Sequence, residues 1–200
     1  MLLRADALTC QRGGRIVFAD LSFSVVAGEA VQVVGPNGAG KSSLLRLIAG
    51  LVPVAAGTLV LEGGDGEAAI GEQVHYCGHQ DAFKQALTVA ENLAFWTEFL
   101  GGGGIGPADA LDRLGLGHLA GLPAAYLSAR QRRRLALARL LTVSRPLWLL
   151  DEPTAALDAA SQAVLAGIMA GHLAAGGMLM AATHGPLGIP ARELVIGGAA

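Results

Sequence analysis

A glycine-rich segment in the first quarter of the chain constrains the fold more than any other feature. It reads Gly35-Pro36-Asn37-Gly38-Ala39-Gly40-Lys41-Ser42 and lies between an apolar run at 30–34 and an apolar helical pattern at 41–49. This spacing matches G-x-x-x-x-G-K-[ST], in which glycines let backbone N–H groups surround phosphate oxygens and the helix N-terminus adds a positive dipole end. A chance match has a probability on the order of one in a hundred before the strand–helix context is required. The segment therefore predicts a nucleoside triphosphate site.

Within this loop, the residue types have defined tasks. Lys41 is expected to reach the β- and γ-phosphates, and Ser42 is expected to bind Mg²⁺. The alternative is a glycine turn that merely precedes a lysine. On the first interpretation the nucleotide is bound by the loop and the start of its helix, which comprise Gly35, Pro36, Asn37, Gly38, Ala39, Gly40, Lys41, Ser42 and Ser43.

A pair of acidic residues, Asp151 and Glu152, follows the apolar run Leu147–Leu150. If that run is a strand of a parallel sheet, its carboxyl end places both carboxylates beside the phosphate loop. Asp151 is then expected to hold Mg²⁺, and Glu152 to polarise the attacking water as general base. The alternative is a strand that simply ends in polar residues, which taken alone is about equally plausible.

Composition limits the class of protein. The chain has 200 residues, which we interpret as a single domain (1–200), and its 52% apolar and 15% charged residues exclude a disordered chain. The net charge of −2 provides no electrostatic surface for nucleic acid, so none is expected as a partner. The stretch between Asp158 and Arg192 lacks acidic and basic residues but is interrupted by polar residues, glycines and prolines. We therefore expect no membrane span, and the charged Arg4 and Asp6 near the start of the chain argue against a signal peptide.

The order of apolar runs and glycine breaks predicts an α/β fold. Strands are expected at 2–9, 15–26, 30–34, 58–61, 73–77, 147–150 and 178–182, and helices at 41–49, 90–100, 107–114, 129–142 and 159–174. Apolar strands that alternate with helices are typical of a parallel sheet covered on both faces. We expect a P-loop NTPase core with a mainly parallel sheet, an antiparallel β subdomain and a helical subdomain inserted at about 81–130.

Further segments point to a known family. The chain contains Leu127-Ser128-Ala129-Arg130-Gln131, which resembles the LSGGQ signature of ABC ATPases. Gln80 lies where that family has its Q-loop. The segment 155–158 resembles the D-loop, and Thr183-His184 at a strand end resembles the switch histidine. These motifs occur in the family's order over nearly the whole chain, which we identify as similar to an ABC ATPase.

The resemblance implies a head-to-tail homodimer that encloses ATP between its subunits. In that arrangement Ser128 contacts the γ-phosphate held by the other subunit, and Asp158 connects the nucleotide sites. Gln80 senses Mg²⁺ and the lytic water, and His184 contacts the γ-phosphate. The implied catalytic residues are Glu152, His184 and Gln80, and the implied metal ligands are Ser42, Gln80 and Asp151.

A narrower resemblance concerns one subfamily. The runs Cys10-Gln11-Arg12-Gly13 and Gly78-His79-Gln80-Asp81, together with the arginine-rich stretch at 131–140, look like the ATPase subunit of the haem exporter complex of cytochrome c biogenesis. This likeness implies an integral-membrane permease as partner and ATP hydrolysis coupled to haem export or handling. It also implies a peripheral location at the cytoplasmic face of the bacterial inner membrane.

Two arginines stand at positions of interest in that comparison. Arg130 replaces a signature glycine whose N–H approaches the γ-phosphate, so it either obstructs the closed dimer or pairs with phosphate and partly substitutes for the glycine. The third alternative is that the local backbone tolerates the arginine and turnover is only slower. Arg12 stands near the position of an aromatic that stacks on adenine in many ABC ATPases. An arginine plane also stacks, and the alternative is a surface arginine in a turn.

Other patterns leave alternatives open. The cluster at 132–134 is interpreted as a solvated face of the signature helix. His75, Cys77 and His79 alternate, which on one strand would align them for metal or haem ligation, although burial of that strand argues against it. Rival functions are a nucleotide-binding regulatory subunit impaired by Arg130 and the ATPase of another small exporter.

Overall fold

Two β-sheets form the framework of the fold. The computed structural model describes residues 1–197. The strands are β1 (Leu2–Arg12), β2 (Arg15–Val26), β3 (Ala30–Val34), β4 (Ala56–Glu62), β5 (Val74–Cys77), β6 (Leu147–Asp151), β7 (Met178–Ala182) and β8 (Arg192–Val195). The helices are α1 (Lys41–Ile48), α2 (Val89–Phe99), α3 (Pro107–Arg113), α4 (Ala129–Thr142) and α5 (Ala159–Ala174). Short 3₁₀ turns occur at Ile70–Gln73, Gly117–Leu119 and Ala124–Tyr126.

The sheets differ in strand direction. The first is antiparallel, with the order β2-β1-β4, and the second is parallel, with the order β5-β6-β7-β3-β8. Because β3, β5, β6 and β7 run in the same direction, their carboxyl ends meet at one edge. The predicted α/β class, with a parallel core sheet and an antiparallel β portion, is therefore confirmed.

The edge strand β8 was not predicted. It pairs with β3, with Val33 opposite Leu194, and only Leu194 of its residues is buried. A strand of four residues that begins with Arg192 and Glu193 carries too weak a hydrophobic pattern to be distinguished from a loop. The adjacent Ile196 is buried and reaches the phosphate loop, so this edge contributes to the site.

Strand β6 is apolar at successive positions because both faces of the parallel sheet are covered. Leu147 and Leu149 pack with α1 and the antiparallel sheet, whereas Trp148 and Leu150 pack with α4, α5 and the helices between β5 and β6. Successive side chains of a strand point to opposite faces, so each of these positions is buried in a different half of the core. The two half-cores hold β6, and hence Asp151 at its end, in a fixed place.

Helices α2 and α3 lie where the inserted helical subdomain was expected. Thr88 caps α2, with its hydroxyl accepting from the Glu91 N–H and the Glu91 carboxylate accepting from the Thr88 N–H. Buried Leu93 of α2 and Leu111 of α3 pack in the same cluster as Leu137 of α4. No helix in residues 1–197 has the length and apolar character needed to cross a bilayer.

The arginine cluster at the start of α4 is not a solvated face, so that expectation was wrong. Arg133 is only 5% exposed and points towards the ends of β5 and β6, whereas Arg132 and Arg134 are partly exposed. The three successive side chains point in different directions because a helix turns by about 100° per residue. The cluster therefore has one inward-facing member.

The alternating His75, Cys77 and His79 do not share a strand face. Strand β5 ends at Cys77, and His79 follows in an exposed bend. His75 and Cys77 are buried, and His75 Nε2 lies 2.8 Å from the carbonyl oxygen of Arg139. Among the described residues, no group of three or more His, Cys, Asp or Glu side chains is arranged to hold a metal ion.

Candidate nucleotide site

The phosphate loop joins β3 to α1, and its shape depends on glycine. Gly35 has φ 148°, and a Cβ there would lie 2.2 Å from the carbonyl oxygen of Ile196. Gly40 has φ 103°, and its Cβ would lie 2.6 Å from Val17 Cγ1 and 3.0 Å from Phe18 Cδ1. Both the backbone conformation and the close approach of neighbouring atoms exclude a side chain at these positions. The loop thus turns tightly over β2 and enters α1 with its N–H groups free of intrahelical bonds.

Lys41 lies at the start of α1 with its side chain folded over the loop. It is 9% exposed, and Nζ donates to the carbonyl oxygens of Gly35 at 2.7 Å and Pro36 at 3.0 Å. The ammonium group is thereby held within the loop rather than extended into solvent. This is the placement from which a lysine can contact phosphates cradled by the same loop.

Ser42 and Asp151 meet although they belong to different elements. Ser42 Oγ, at the start of α1, donates to Asp151 Oδ1 at the end of β6 over 2.9 Å, and Asp151 is 4% exposed. A hydroxyl and a carboxylate are hard oxygen donors of the type that Mg²⁺ prefers. The residues present therefore fit a magnesium ion, which Ser42 and Asp151 would hold.

Glu152 is fixed on three sides. Its N–H donates to the carbonyl oxygen of Ala182 at 2.8 Å, its Oε2 accepts from Thr183 Oγ1 at 3.1 Å, and its own carbonyl oxygen accepts from Arg133 Nη2 at 2.8 Å. Its backbone has φ 48°, the left-handed region that non-glycine residues rarely adopt. Such strain persists where surrounding contacts determine it, and it is concentrated at functional sites.

The segment that follows β7 contributes further side chains near the phosphate loop. His184 Nε2 lies 3.0 Å from Asn37 Oδ1, so the histidine donates its Nε2 proton to the phosphate loop. Gln32 on β3 donates from Nε2 to the carbonyl oxygens of Thr183 at 3.4 Å and Gly185 at 3.2 Å. Gln32 is a polar interruption of the otherwise apolar strand β3. That interruption was the available signal that the strand faces a polar segment.

Side chains from the phosphate loop, from α1 and from the segments at the ends of β6 and β7 line one open cleft of about 440 Å³. It contains Lys41, Ser42, Asp151, Glu152 and His184, together with Asn37 and Ser43 of the predicted nucleotide-binding set. His79 also lines this cleft, a placement that sequence reasoning did not anticipate. The arrangement combines a cationic phosphate cradle, two oxygen donors for a cation and a carboxylate positioned beside them.

Gln80 does not line this cleft. It is exposed and borders a neighbouring groove with Leu51, Tyr76 and Trp96. In the loop after β5, His79 lines both the cleft and the groove, whereas Gln80 lines only the groove.

The remaining predicted residues also lie outside the cleft. Ser128 caps α4, accepting from the Gln131 N–H at 3.3 Å, and Asp158 caps α5, accepting from the Ser161 N–H at 2.9 Å. Arg130 Nη1 lies 3.8 Å from Asp158 Oδ2, which joins the starts of the two helices. The hydrogen bonds at Ser161, and secondarily the nearby arginine, lower the pKa of Asp158. Arg12 is exposed at the end of β1.

Comparison with known proteins identifies the family. Residues 18–155 match the family described as ABC transporter. A relative from Nitrobacter winogradskyi is 63% identical over the full length of both chains, and one from Bradyrhizobium diazoefficiens is 60% identical over the same extent. A third, from Rhodopseudomonas palustris, is 64% identical and also covered completely. Each is named cytochrome c biogenesis ATP-binding export protein CcmA.

The chain belongs to the CcmA family of ABC transporter ATP-binding proteins. Both the resemblance to ABC ATPases and the narrower one to the cytochrome c biogenesis subfamily are thereby confirmed, and the chain is an ABC-type ATPase.

Solved structures agree with this assignment at the level of fold. The ATP-binding subunit of an ABC transporter superposes with a TM-score of 0.80 at 25% identity, covering 92% of this chain and 80% of that one. An ABC transporter ATP-binding protein from Pyrococcus furiosus gives 0.82 at 19% identity, with 98% of both chains covered. A bacterial Atm1-family exporter solved with ATP bound gives 0.81 at 23% identity, over 98% of this chain and 36% of the exporter chain. The CcmA-family chain therefore has the ABC ATPase fold.

Proposed function

We propose that this CcmA-family chain hydrolyses MgATP and that hydrolysis drives the export step of cytochrome c biogenesis, with haem or a haem-carrying intermediate as cargo. The contact between Ser42 and Asp151 carries the proposal, because it brings two Mg²⁺-binding oxygens into the cleft that holds Lys41 and Glu152. The names of the relatives supply the physiological context.

The chain's own residues account for binding of the triphosphate. Backbone N–H groups from Asn37 to Ser43 surround the phosphates, and Lys41 turns from the loop carbonyls to the β- and γ-phosphate oxygens. Mg²⁺ held by Ser42 and Asp151 would neutralise phosphate charge and orient the γ-phosphate for in-line attack.

Glu152 acts as general base. It accepts a proton from the attacking water as the water oxygen bonds to the γ-phosphorus and the bond to the bridging oxygen breaks. The hydrogen bond from Thr183 to one carboxylate oxygen leaves the other oxygen to face the water. His184 would exchange its hydrogen bond to Asn37 for one to the γ-phosphate and would donate its Nε2 proton there.

The proposal includes a homodimer. Ser128, Arg130 and Asp158 are exposed, cluster at the starts of α4 and α5, and lie outside the cleft of their own chain. A head-to-tail partner would place this cluster over the phosphate loop of the other subunit. Ser128 would then contribute its hydroxyl to a phosphate that its own chain does not bind.

The groove beside Gln80 is proposed as the docking place for an integral-membrane permease, which would hold the chain at the cytoplasmic face of the inner membrane. It has a volume of about 580 Å³, and its rim carries exposed Leu51 as well as Trp96 and Leu100. Phe99, 69% exposed, adds an aromatic surface next to it. Apolar and aromatic groups exposed together are typical of protein–protein contact sites.

The ion pair between Arg130 and Asp158 bears on the second candidate, a regulatory subunit that binds ATP without turnover. The ion pair with Asp158 directs the guanidinium of Arg130 towards the start of α5. An Arg130 side chain directed towards Asp158 need not cover the start of α4, so we infer an active enzyme. Turnover that appears only in Arg130→Gly would instead support the regulatory subunit.

Complementation tests the proposal. In a bacterium whose own gene for this ATPase is deleted, the wild-type chain is expected to restore covalent haem in c-type cytochromes. Lys41→Ala and Glu152→Gln are expected not to restore it, whereas Glu62→Gln, an exposed site on β4, serves as the matched control. Restoration by Glu152→Gln would contradict the assignment of the base. A wild-type chain that hydrolyses ATP but does not restore the cytochromes would point to another exporter.

A further inference from the structure

Arg133 is the only member of the arginine cluster at 132–134 that is buried, and its surroundings differ from those of an ordinary ion pair. Its nearest carboxylate oxygen, Asp81 Oδ1, lies 3.4 Å away. The shorter contacts go to backbone carbonyl oxygens: Nη1 donates to Gly78 at 2.8 Å, and Nη2 donates to Asp151 at 2.7 Å and Glu152 at 2.8 Å. A buried guanidinium whose shortest hydrogen bonds go to main-chain carbonyl oxygens is poorly explained by stabilisation of the fold through an ion pair.

The bonded carbonyls lie at functionally distinct places. Gly78 begins the loop that carries His79 and Gln80 after β5, Asp151 ends β6, and Glu152 follows it. The guanidinium of Arg133 therefore connects α4 with the loop after β5 and with the segment that contains the proposed metal ligand and base. Arginine suits this task because its planar fork donates to several acceptors at once, whereas a lysine ammonium is a point charge.

The surroundings of Glu152 show what the hydrogen bonds of Arg133 control. The N–H and carboxylate of Glu152 are both held from the end of β7, by Ala182 and Thr183, while its carbonyl oxygen accepts from Arg133 Nη2 at 2.8 Å and, within the following turn, from the Ala155 N–H at 3.2 Å. With φ at 48°, the residue needs these contacts to remain in the left-handed region. Removal of the Arg133 contact would leave the carbonyl oxygen of Glu152 held only within its own turn, by the longer bond from Ala155, and would let the carboxylate move.

We propose that Arg133 is a positioning residue, which fixes the backbone of Glu152 and of the loop after β5 in one arrangement relative to α4. This inference rests on the proposed ATPase function and adds to it a residue that does not touch the nucleotide. Arg133 acts through Glu152, so its loss is expected to affect the chemical step more than the binding of ATP.

Turnover of the full-length chain tests this. Arg133→Met is expected to lower kcat about 100-fold while the KM for ATP stays within about threefold, because a small misplacement of a catalytic group costs rate on that scale. Arg133→Lys restores one donor and is expected to recover part of the loss, and millimolar guanidinium added to Arg133→Ala is expected to do the same. Arg134→Met is the matched control, since Arg134 lies on the same helix and donates to the carbonyl of Leu114, away from the cleft.

A second readout separates this inference from the proposed function. Amide hydrogen exchange is compared between Arg133→Met and Arg134→Met without nucleotide, after thermal melting has shown that both variants fold. If Arg133→Met does not fold, Arg133→Lys takes its place. Faster exchange confined to 78–82 and 151–153 is the expected result. Equal exchange in the two variants, or a kcat for Arg133→Met equal to that of Arg134→Met, would overturn the role of Arg133 even if the wild type hydrolyses ATP. If the wild type shows no turnover, the proposed function fails and the exchange comparison still decides the positioning role.

Discussion

Ser42 Oγ donates a hydrogen bond of 2.9 Å to Asp151 Oδ1 across a sequence separation of 109 residues. The contact joins the first turn of α1 to the carboxyl end of β6, which the buried sides of both elements hold in place. Two residues that sequence motifs alone place in separate segments thus form a single pair. The pair defines where a cation can sit relative to the phosphate loop.

Replacement of Asp151 is expected to weaken the use of Mg²⁺. Asp151→Asn retains an oxygen that accepts from Ser42 but removes the negative charge, so the Mg²⁺ concentration for half-maximal ATP turnover should rise by at least about tenfold. A magnesium titration of ATPase activity measures this. Asp20→Asn, at an exposed position on β2, is the control, and an unchanged magnesium dependence in Asp151→Asn would rule out Asp151 as a ligand.

The hydrogen bond from Thr183 to Glu152 can be removed with little change of volume. Thr183 is 1% exposed, and Thr183→Val deletes the hydroxyl that donates to Glu152 Oε2. We expect kcat to fall about tenfold with little change in the KM for ATP, because the base loses part of its orientation. Thr142→Val removes an equally buried hydroxyl on α4, away from the cleft, and should leave kcat unchanged. Equal kcat values for the two variants would show that Thr183 does not orient the base.

Gly40 is expected to tolerate no side chain. In Gly40→Ala the methyl group would meet Val17 and Phe18, and the backbone would keep φ at 103°, so the free energy of unfolding should fall by about 1–3 kcal/mol. Gly66→Ala, where nothing lies within 4 Å, provides the comparison. Chemical denaturation and ATP binding measure both variants, and a Gly40→Ala chain as stable as Gly66→Ala would contradict this account of the loop.

Buried His75 predicts a loss of stability in acid. Desolvation, followed by the charge of Arg139, lowers the pKa of His75 from 6.5 to about 4. The folded state thus favours the neutral ring: its contribution is fully present above pH 6.5 and is lost as the pH falls from 6.5 towards 4, by up to about 3 kcal/mol.

Denaturation at pH 7 and pH 5 measures this dependence. His75→Phe should show a smaller fall than the wild type, whereas His118→Gln, at an exposed position, should follow the wild type. Identical falls in wild type and His75→Phe would exclude His75 as the source. The burial of His172 also lowers its pKa, so part of the dependence is expected to remain in His75→Phe.

Sequence reasoning succeeded where short motifs or long periodic patterns carry the information. The phosphate loop, the acidic pair after β6 and the helices α4 and α5 all lie where they were predicted. Each depends on local chemistry: glycine at positive φ, an apolar strand that ends in acids, or a Ser or Asp cap before a helix. The structure adds that Lys41, Ser42, Asp151, Glu152 and His184 share one cleft.

The missed features depend on long-range packing. Nothing in the sequence distinguishes Arg133 from its neighbours Arg132 and Arg134, because its burial follows from how α4 is rotated against β5 and β6. The side on which Gln80 emerges depends likewise on the path of the loop after β5. Strand β8 forms only because β3 offers it an edge. Periodicity within one segment contains no information about these contacts.

The most direct test of the account is MgATP turnover by the full chain co-purified with the proposed membrane permease, with Glu152→Gln measured beside it. We predict clear turnover by the wild type and a loss of at least about 100-fold in Glu152→Gln, since the variant retains the shape of the residue but not the base. Equal turnover by the two chains would contradict the central claim that this cleft hydrolyses ATP with Glu152 as its base.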